Sequence, residues 1–260
     1  MFQVKGLQFA TGLNGVVGPK GVGKTRLLQT LSEMHATNDT VTDRGFSGKV
    51  CYLNGTWEGS QELTVLEYVT EAAHKREIAS DSLEQQVRAV IECVLLTAFA
   101  DHRVRELSCA MQRRVRLAEA LLSDPQLLLL DDLLGGLAEQ ERMHFAHTLC
   151  ELAKERIVVL ASDVTETPEG LFDTVCLLHP DKEAVTVSAH TAYEWVEGKV
   201  WEYISPELPS ASDGRIVSEV KRGTDAVCVR EVATVVPYEE VSQVTPTLTD
   251  AYAWWVKCGS

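Results

Sequence analysis

The stretch Gly18-Pro19-Lys20-Gly21-Val22-Gly23-Lys24-Thr25 limits what this chain can fold into more than any other. It follows the apolar run Gly15-Val16-Val17 and leads into Arg26-Leu27-Leu28-Gln29-Thr30-Leu31, which reads as a helix. Strand, glycine-rich turn and helix in that order make a phosphate loop. Glycines let successive backbone N–H groups curl round a polyphosphate, and the N-terminus of the next helix adds a favourable dipole. In such a loop Lys24 reaches the β- and γ-phosphates and the Thr25 hydroxyl ligates Mg²⁺. Gly18, Pro19, Lys20, Gly21, Val22, Gly23, Lys24, Thr25 and Arg26 are therefore the predicted cradle of a nucleoside triphosphate.

A chain of 260 residues accommodates one large domain, or one domain with a small appendage. Its formal net charge of -14 argues against a basic nucleic-acid face, so DNA and RNA are not expected partners. The seven cysteines are dispersed without a C-x-x-C pair, the pattern of reduced thiols in a cytosolic protein. The first residues lack the apolar core of a signal peptide, and Leu127–Leu130 falls far short of the ~18 apolar residues of a membrane span. Any work at a membrane is then expected to pass through a partner.

Residues 2–9 read as a first strand, ahead of Val16-Val17. Val50–Leu53, Leu127–Asp131, Ile157–Ala161 and Val175–Leu178 read as further short buried strands. Residues 61–107 are mostly helical in pattern, with Leu63, Leu66, Val69 and later Val87, Val90 and Val94 spaced to line one face. A helix from Ser108 to Leu122 stops at Ser123-Asp124-Pro125, and a polar helix spans about 138–155. This alternation predicts an α/β fold, a mostly parallel sheet with helices on both faces. The expected division is a nucleotide-binding domain over 1–194, with a helical subdomain at about 61–122, and a small C-terminal α+β domain over 195–260. Within the latter, strands are expected at 199–204, 226–230 and 232–236, a turn at 222–225 and a helix at 248–256.

Leu127-Leu128-Leu129-Leu130-Asp131-Asp132 is a buried strand ending in two acids. In a nucleotide-binding sheet the first acid holds Mg²⁺, directly or through water, and the second position can orient the attacking water. Thr25 and Asp131 are thus the predicted metal ligands. Around this strand runs a longer pattern: Leu107-Ser108-Cys109-Ala110-Met111-Gln112-Arg113-Arg114-Val115, then Leu117-Ala118, Ala120-Leu121 and Asp124-Pro125, with Gly136-Leu137 beyond. Over residues 1–180 this resembles an ATP-binding cassette ATPase, a P-loop NTPase whose signature segment, LSGG(Q/M), lies just upstream of the magnesium-binding strand. Gly198-Lys199-Val200-Trp201-Glu202 and Pro246-Thr247-Leu248-Thr249-Asp250-Ala251-Tyr252 also resemble the tails of ATPase subunits from bacterial drug, peptide and lantibiotic exporters.

The chain departs from that family at several points. The glutamate that follows the magnesium aspartate is Asp132 here, and the glutamine after the second strand falls at Gly55, beside Asn54. The γ-phosphate histidine falls at Asp163, or at Ser162 in a register one residue earlier. Cys109 and Ala110 stand for the two signature glycines, while the preceding Ser108 is kept, and Ala138 stands for a loop aspartate. An ionised Asp accepts but cannot donate to a phosphate oxygen, and it repels a like charge.

The resemblance implies ATP and Mg²⁺ as cofactors, with Lys24, Asp132 and Asp163 at the catalytic positions and the Ser108 hydroxyl reaching a γ-phosphate. It implies the ATP-binding subunit of an export-type transporter, cytoplasmic and peripheral at the inner face of the cell membrane. Its partners would be membrane-spanning permease subunits, docked on residues 61–107, and a second cassette subunit, identical or different. The departures imply slow or partner-dependent hydrolysis. The alternative reading is a degenerate cassette that binds ATP as a regulatory or structural switch without turnover.

Overall fold

The leucine run becomes β5 (Leu127–Asp131), buried along its whole length. The computed structural model describes residues 2–4, 7–36, 48–57, 59–78, 80–206, 215–222, 226–237 and 240–259. β5 lies inside a six-stranded sheet of order β4 (Val50–Asn54), β5, β6 (Ile157–Ser162), β3 (Gly12–Val17), β7 (Thr174–His179) and β8 (Lys182–Ser188). The first five strands run parallel and β8 closes the edge antiparallel to β7.

The period of two splits the leucines between two cores. Leu127 and Leu129 join Val16 and Val159 under Leu28 and Leu31 of α1 (Lys24–Ala36). Leu128 and Leu130 join Val158 and Leu160 against Leu117 of α4 (Cys109–Leu121) and Phe145 and Leu149 of α5 (Glu139–Ala153). A strand apolar on both faces needs helices above and below it, which is the expected α/β layering. The parallel register sets Val17 beside Ser162 and Asp131 beside Ala161. Gly18, Asp132 and Asp163 therefore leave the sheet together at the carboxyl ends of their strands, where open α/β sheets bind ligands.

Residues 61–107 form α2 (Val65–Lys75), whose start is fixed by a reciprocal Thr64–Glu67 capping box, then α3 (Ser80–Cys93) and short 3₁₀ turns at 97–99 and 104–106. No helix among the described residues is long and apolar enough to cross a membrane.

Two expectations change. The segment read as one strand at 2–9 holds two three-residue strands, β1 (Phe2–Val4) and β2 (Leu7–Phe9), paired antiparallel with Phe2 opposite Phe9. No strand forms at 232–236: β11 (Val227–Val232) ends there, and Val235 and Val236 stand exposed at 75% and 53%. β10 (Ile216–Arg222) flanks β11 instead, in a small antiparallel sheet of order β10, β11, β9 (Val200–Ser205) and β12 (Ser242–Gln243). Of the turn read at 222–225, residues 223–225 lie outside the described residues.

α6 (Ala189–Glu194) leads into this sheet and α7 (Leu248–Cys258) packs on it. Asp250, fully buried, caps α7 through Thr247 and meets the Arg230 guanidinium at 2.9 Å. α7 also faces the large sheet: the Tyr252 hydroxyl donates to the Leu178 carbonyl at 2.8 Å, and Leu248 N donates to Glu169 Oε2 at 3.2 Å.

Candidate functional site

β3 ends at Val17 and α1 begins at Lys24, so residues 18–23 form the turn between them. Gly21 and Gly23 take φ of 82° and 103°, the left-handed region in which a Cβ costs roughly 1–2 kcal/mol. A Cβ built at either meets nothing within 4 Å, so the turn's inner surface is open. Lys24 Nζ folds back to donate to the carbonyls of Gly18 at 2.7 Å and Pro19 at 2.9 Å. Burial pulls its pKa below the usual lysine value, opposed by the carboxylates of Asp163, Asp132 and Asp131.

Those three acids and the loop line a single cavity of about 400 Å³, together with Lys20, Thr25, Arg26 and Gln29. The volume falls within the roughly 300–1,000 Å³ of small-molecule sites. Three cations, an open glycine turn and the N-terminus of a helix of 13 residues suit a polyphosphate. A hard cation also fits. Asp131 is 7% exposed at the end of β5, and the Tyr52 hydroxyl donates to its Oδ2 at 3.0 Å, fixing the carboxylate's orientation. Burial first, then Asp131, pushes the Tyr52 hydroxyl up to about 12. With the Thr25 hydroxyl exposed on the first turn of α1, this is an oxygen donor set of the kind Mg²⁺ takes.

Asp132 adopts φ of 54°, and its N–H donates to the Ala161 carbonyl at 3.1 Å. Burial and then the Glu166 carboxylate raise its pKa, against the Arg113 guanidinium. At the glutamine position, a Cβ on Gly55 would stand 3.0 Å from the Asp132 carbonyl oxygen, so the close approach of the two strand ends selects glycine. Beside it the Asn54 Oδ1 is buried and accepts no hydrogen bond. Of the two registers for the last position, Asp163 lines the cavity. Ser162 is 2% exposed and its hydroxyl donates to the Asp163 carbonyl at 3.2 Å. The Asp163 carboxylate caps the turn at 164–166, its Oδ1 accepting from Thr165 N at 3.1 Å and Thr165 Oγ1 at 2.9 Å.

Ser108 lies outside this cluster. It is exposed at the start of α4, where its hydroxyl accepts from Met111 N at 3.4 Å, with Cys109 exposed and Ala110 buried after it. Ala138 opens α5 with no side-chain cap. Phe9 on β2 is fully buried and presents no ring to the cavity.

Sequence reading missed the residues that hold the loops. Arg113, on α4, donates from its guanidinium to the carbonyls of Leu133 and Gly135, both at 2.8 Å, clamping the turn after Asp132. Arg142 donates to the Glu166 carbonyl at 2.9 Å and the Leu137 carbonyl at 3.1 Å, tying that turn to the segment after Asp163. Lys20 and Glu166 approach to 3.6 Å across the cavity mouth. The only sequence signal of Arg113 and Arg142 is an arginine on a half-apolar helix. All seven cysteines are free, and no cluster of three or more metal-ligating side chains occurs among the described residues.

The ABC transporter family model matches residues 9–134. The chain is 29% identical over 218 residues to the Nod factor export ATP-binding protein I of Rhizobium sp. (strain N33), covering 74% of this chain and 67% of that one. It is 28% identical over 173 residues to ATP-binding cassette sub-family A member 9 of Mus musculus, covering 62% and 11%. The solved structure of cbiO1 from Clostridium perfringens, part of the ABC transporter complex cbiONQ, shares the fold with a TM-score of 0.61 at 17% identity, over 74% of this chain and 84% of that one. The chain spans about two thirds or less of the length of the Nod factor export proteins it matches. From the phosphate loop through the strand ending in Asp131, motif, fold and relatives agree, and the chain is similar throughout that stretch to ATP-binding subunits of ABC transporters.

Proposed function

We propose that this chain binds MgATP in the cavity between the phosphate loop and Asp131 and uses it to drive membrane-spanning partner subunits of an export-type transporter. The observation that carries the reading is that one cavity gathers Lys24, Thr25, Asp131, Asp132 and Asp163. Backbone N–H groups from Gly18 to Arg26 would hold the phosphates, Lys24 would swing from the loop carbonyls to them, and Thr25 with Asp131 would hold Mg²⁺. The metal, when bound, neutralises charge on the β- and γ-oxygens. Asp132 would polarise the attacking water. Its arm is one methylene shorter than a glutamate's, and a displacement of roughly 1 Å can cost about 10²-fold in rate. Hydrolysis is accordingly slow, or depends on a partner.

Export function is supported by the Nod factor export relatives. The permease would dock on the helical segment, where a groove of about 380 Å³ between α2 and α4 is lined by Tyr68, Glu71, Lys75, Arg116 and Glu119. A second cassette would face the exposed Ser108 and Cys109, which bears on the γ-phosphate only across a dimer. The division at 194/195 and a position at the inner membrane face belong to the same proposal. A second reading, an ATP switch without turnover, is favoured by Asp163 and Gly55, which remove a donor and a water ligand from the site.

Isothermal titration with MgATP tests binding: the chain should bind and Lys24→Ala should not. Phosphate release, alone and with the partner subunits, then separates the two readings. Release no faster than that of Lys24→Ala in both settings leaves only the switch.

A further inference from the structure

The cavity's charge is unusual for a polyphosphate site. Its three cations, Lys20, Lys24 and Arg26, are matched by three carboxylates, Asp131, Asp132 and Asp163. Two have work in the proposed site, at the metal and at the water. Asp163 has none. The register places it one residue beyond the Val17–Ser162 pair, beside Gly18, and two residues beyond Ala161, the partner of Asp131. It lines the same cavity as Lys24 and Asp131, and with Lys24 on the β- and γ-phosphates its carboxylate would stand beside the third phosphate. The side chain is held there: Thr165 gives its N–H and its hydroxyl to Oδ1, which fixes the carboxylate and leaves Oδ2 without a donor from that turn. The Lys24 ammonium, a charge that opposes it, donates to the Gly18 and Pro19 carbonyls and not to Asp163.

We propose that Asp163 sets which nucleotide the site prefers: its fixed carboxylate stands against the third phosphate, so the site holds the Mg²⁺ nucleoside diphosphate at least as tightly as the triphosphate. This rests on the nucleotide site proposed above and adds a specificity-determining residue to it. Like charges a few ångströms apart in a half-buried cleft repel, whereas a diphosphate ends before it reaches Asp163. Binding of triphosphate then requires Lys24 or a partner's donor to cover the carboxylate, which makes the loaded state conditional on the partner.

Titration calorimetry of the full chain with MgADP and MgATP tests this, using wild type, Asp163→Asn and Lys24→Ala. Asn keeps the side-chain oxygen that caps 164–166, so the fold should survive, and an unchanged melting temperature would show it. The expected wild-type ratio Kd(ATP)/Kd(ADP) is one or more. In Asp163→Asn it should fall about 10-fold, through tighter ATP with ADP nearly unchanged. Raising salt from about 0.1 M to 1 M shortens the screening length from about 10 Å to about 3 Å, so it should lower the wild-type ratio and leave that of Asp163→Asn unmoved. A ratio that Asp163→Asn does not change, or a salt response equal in both proteins, overturns the proposal while the nucleotide site stands. Binding of neither nucleotide to wild type or Asp163→Asn overturns both. Equal binding to Lys24→Ala and wild type would count against the site itself.

Discussion

Asp132 sits on left-handed backbone, and that explains the residue as well as its charge does. With φ of 54° the position favours Asp and Asn over longer side chains, which reach this region at a cost of roughly 1–2 kcal/mol. Replacing Asp132 by Glu, together with Asp163→His, should therefore raise phosphate release and lower the melting temperature at the same time. A gain in neither rate nor strain would count against the two losses as the limit on turnover. The pKa of Asp132 is raised from its ordinary value of 3.8, by burial and then by Glu166. The native state thus keeps this proton to higher pH than the unfolded chain does, so its contribution to stability falls as pH rises from 3.8 through the elevated value. Asp132→Asn removes that fall. Its melting temperature should exceed wild type at pH 7, by a small margin because the side chain is open to solvent on one side, and match it below pH 3.8. At this scale the sequence displayed the motif residues: Lys24, Thr25 and Asp131, read from separate motifs, line one cavity. It hid Arg113 and Arg142, which act by donating to carbonyls 20 and 24 residues away and leave no periodic trace.

At the scale of elements, legibility followed apolarity. β5 and β6 are runs of leucine, isoleucine, valine and alanine, and their length and type were readable directly. β8, with the sequence KEAVTVS, and β10, IVSEVKR, are sheet-edge strands half open to solvent, so charged residues mask their alternation. β10 is held by what it meets across the sheet. The Ser218 hydroxyl donates to Asp250, and the Arg230 guanidinium binds the same carboxylate through Nε at 3.0 Å and Nη2 at 2.9 Å. Asp250 is fully buried, so removing its cation strands a charge out of water. Arg230→Met should cost about 3–5 kcal/mol, read as a loss in urea midpoint, whereas Arg230→Met with Asp250→Leu should recover much of it. If the single change costs less than about 1 kcal/mol, this cluster does not hold the small sheet to α7.

The molecule as a whole ties its C-terminal helix to the nucleotide site. Leu248, Ala251 and Trp255 of α7 belong to the same apolar cluster as Leu13, Val17 and Leu177 of the large sheet. Tyr252 donates to the Leu178 carbonyl, and a Cβ on Gly18 would come within 2.5 Å of that same oxygen. On the other side of the helix start, the Thr249 hydroxyl reaches the Val164 carbonyl at 3.5 Å, one residue past Asp163. The phosphate loop thus leans on a segment that α7 holds, and loss of α7 packing should be felt at both. Trp255 is 2% exposed, and Trp255→Ala should destabilise by about 3–5 kcal/mol. A ligand that binds only the folded chain returns about 2.7 kcal/mol at a hundredfold excess over its Kd. Trp255→Ala should then melt well below wild type without nucleotide, and MgATP or MgADP should raise its melting temperature by less than it raises wild type, because the variant also binds more weakly. The discriminating quantity is Kd measured at a temperature where both proteins are fully folded. An affinity equal to wild type would mean that α7 supports the fold alone and that its contacts with Leu178 and Val164 carry nothing to the loop.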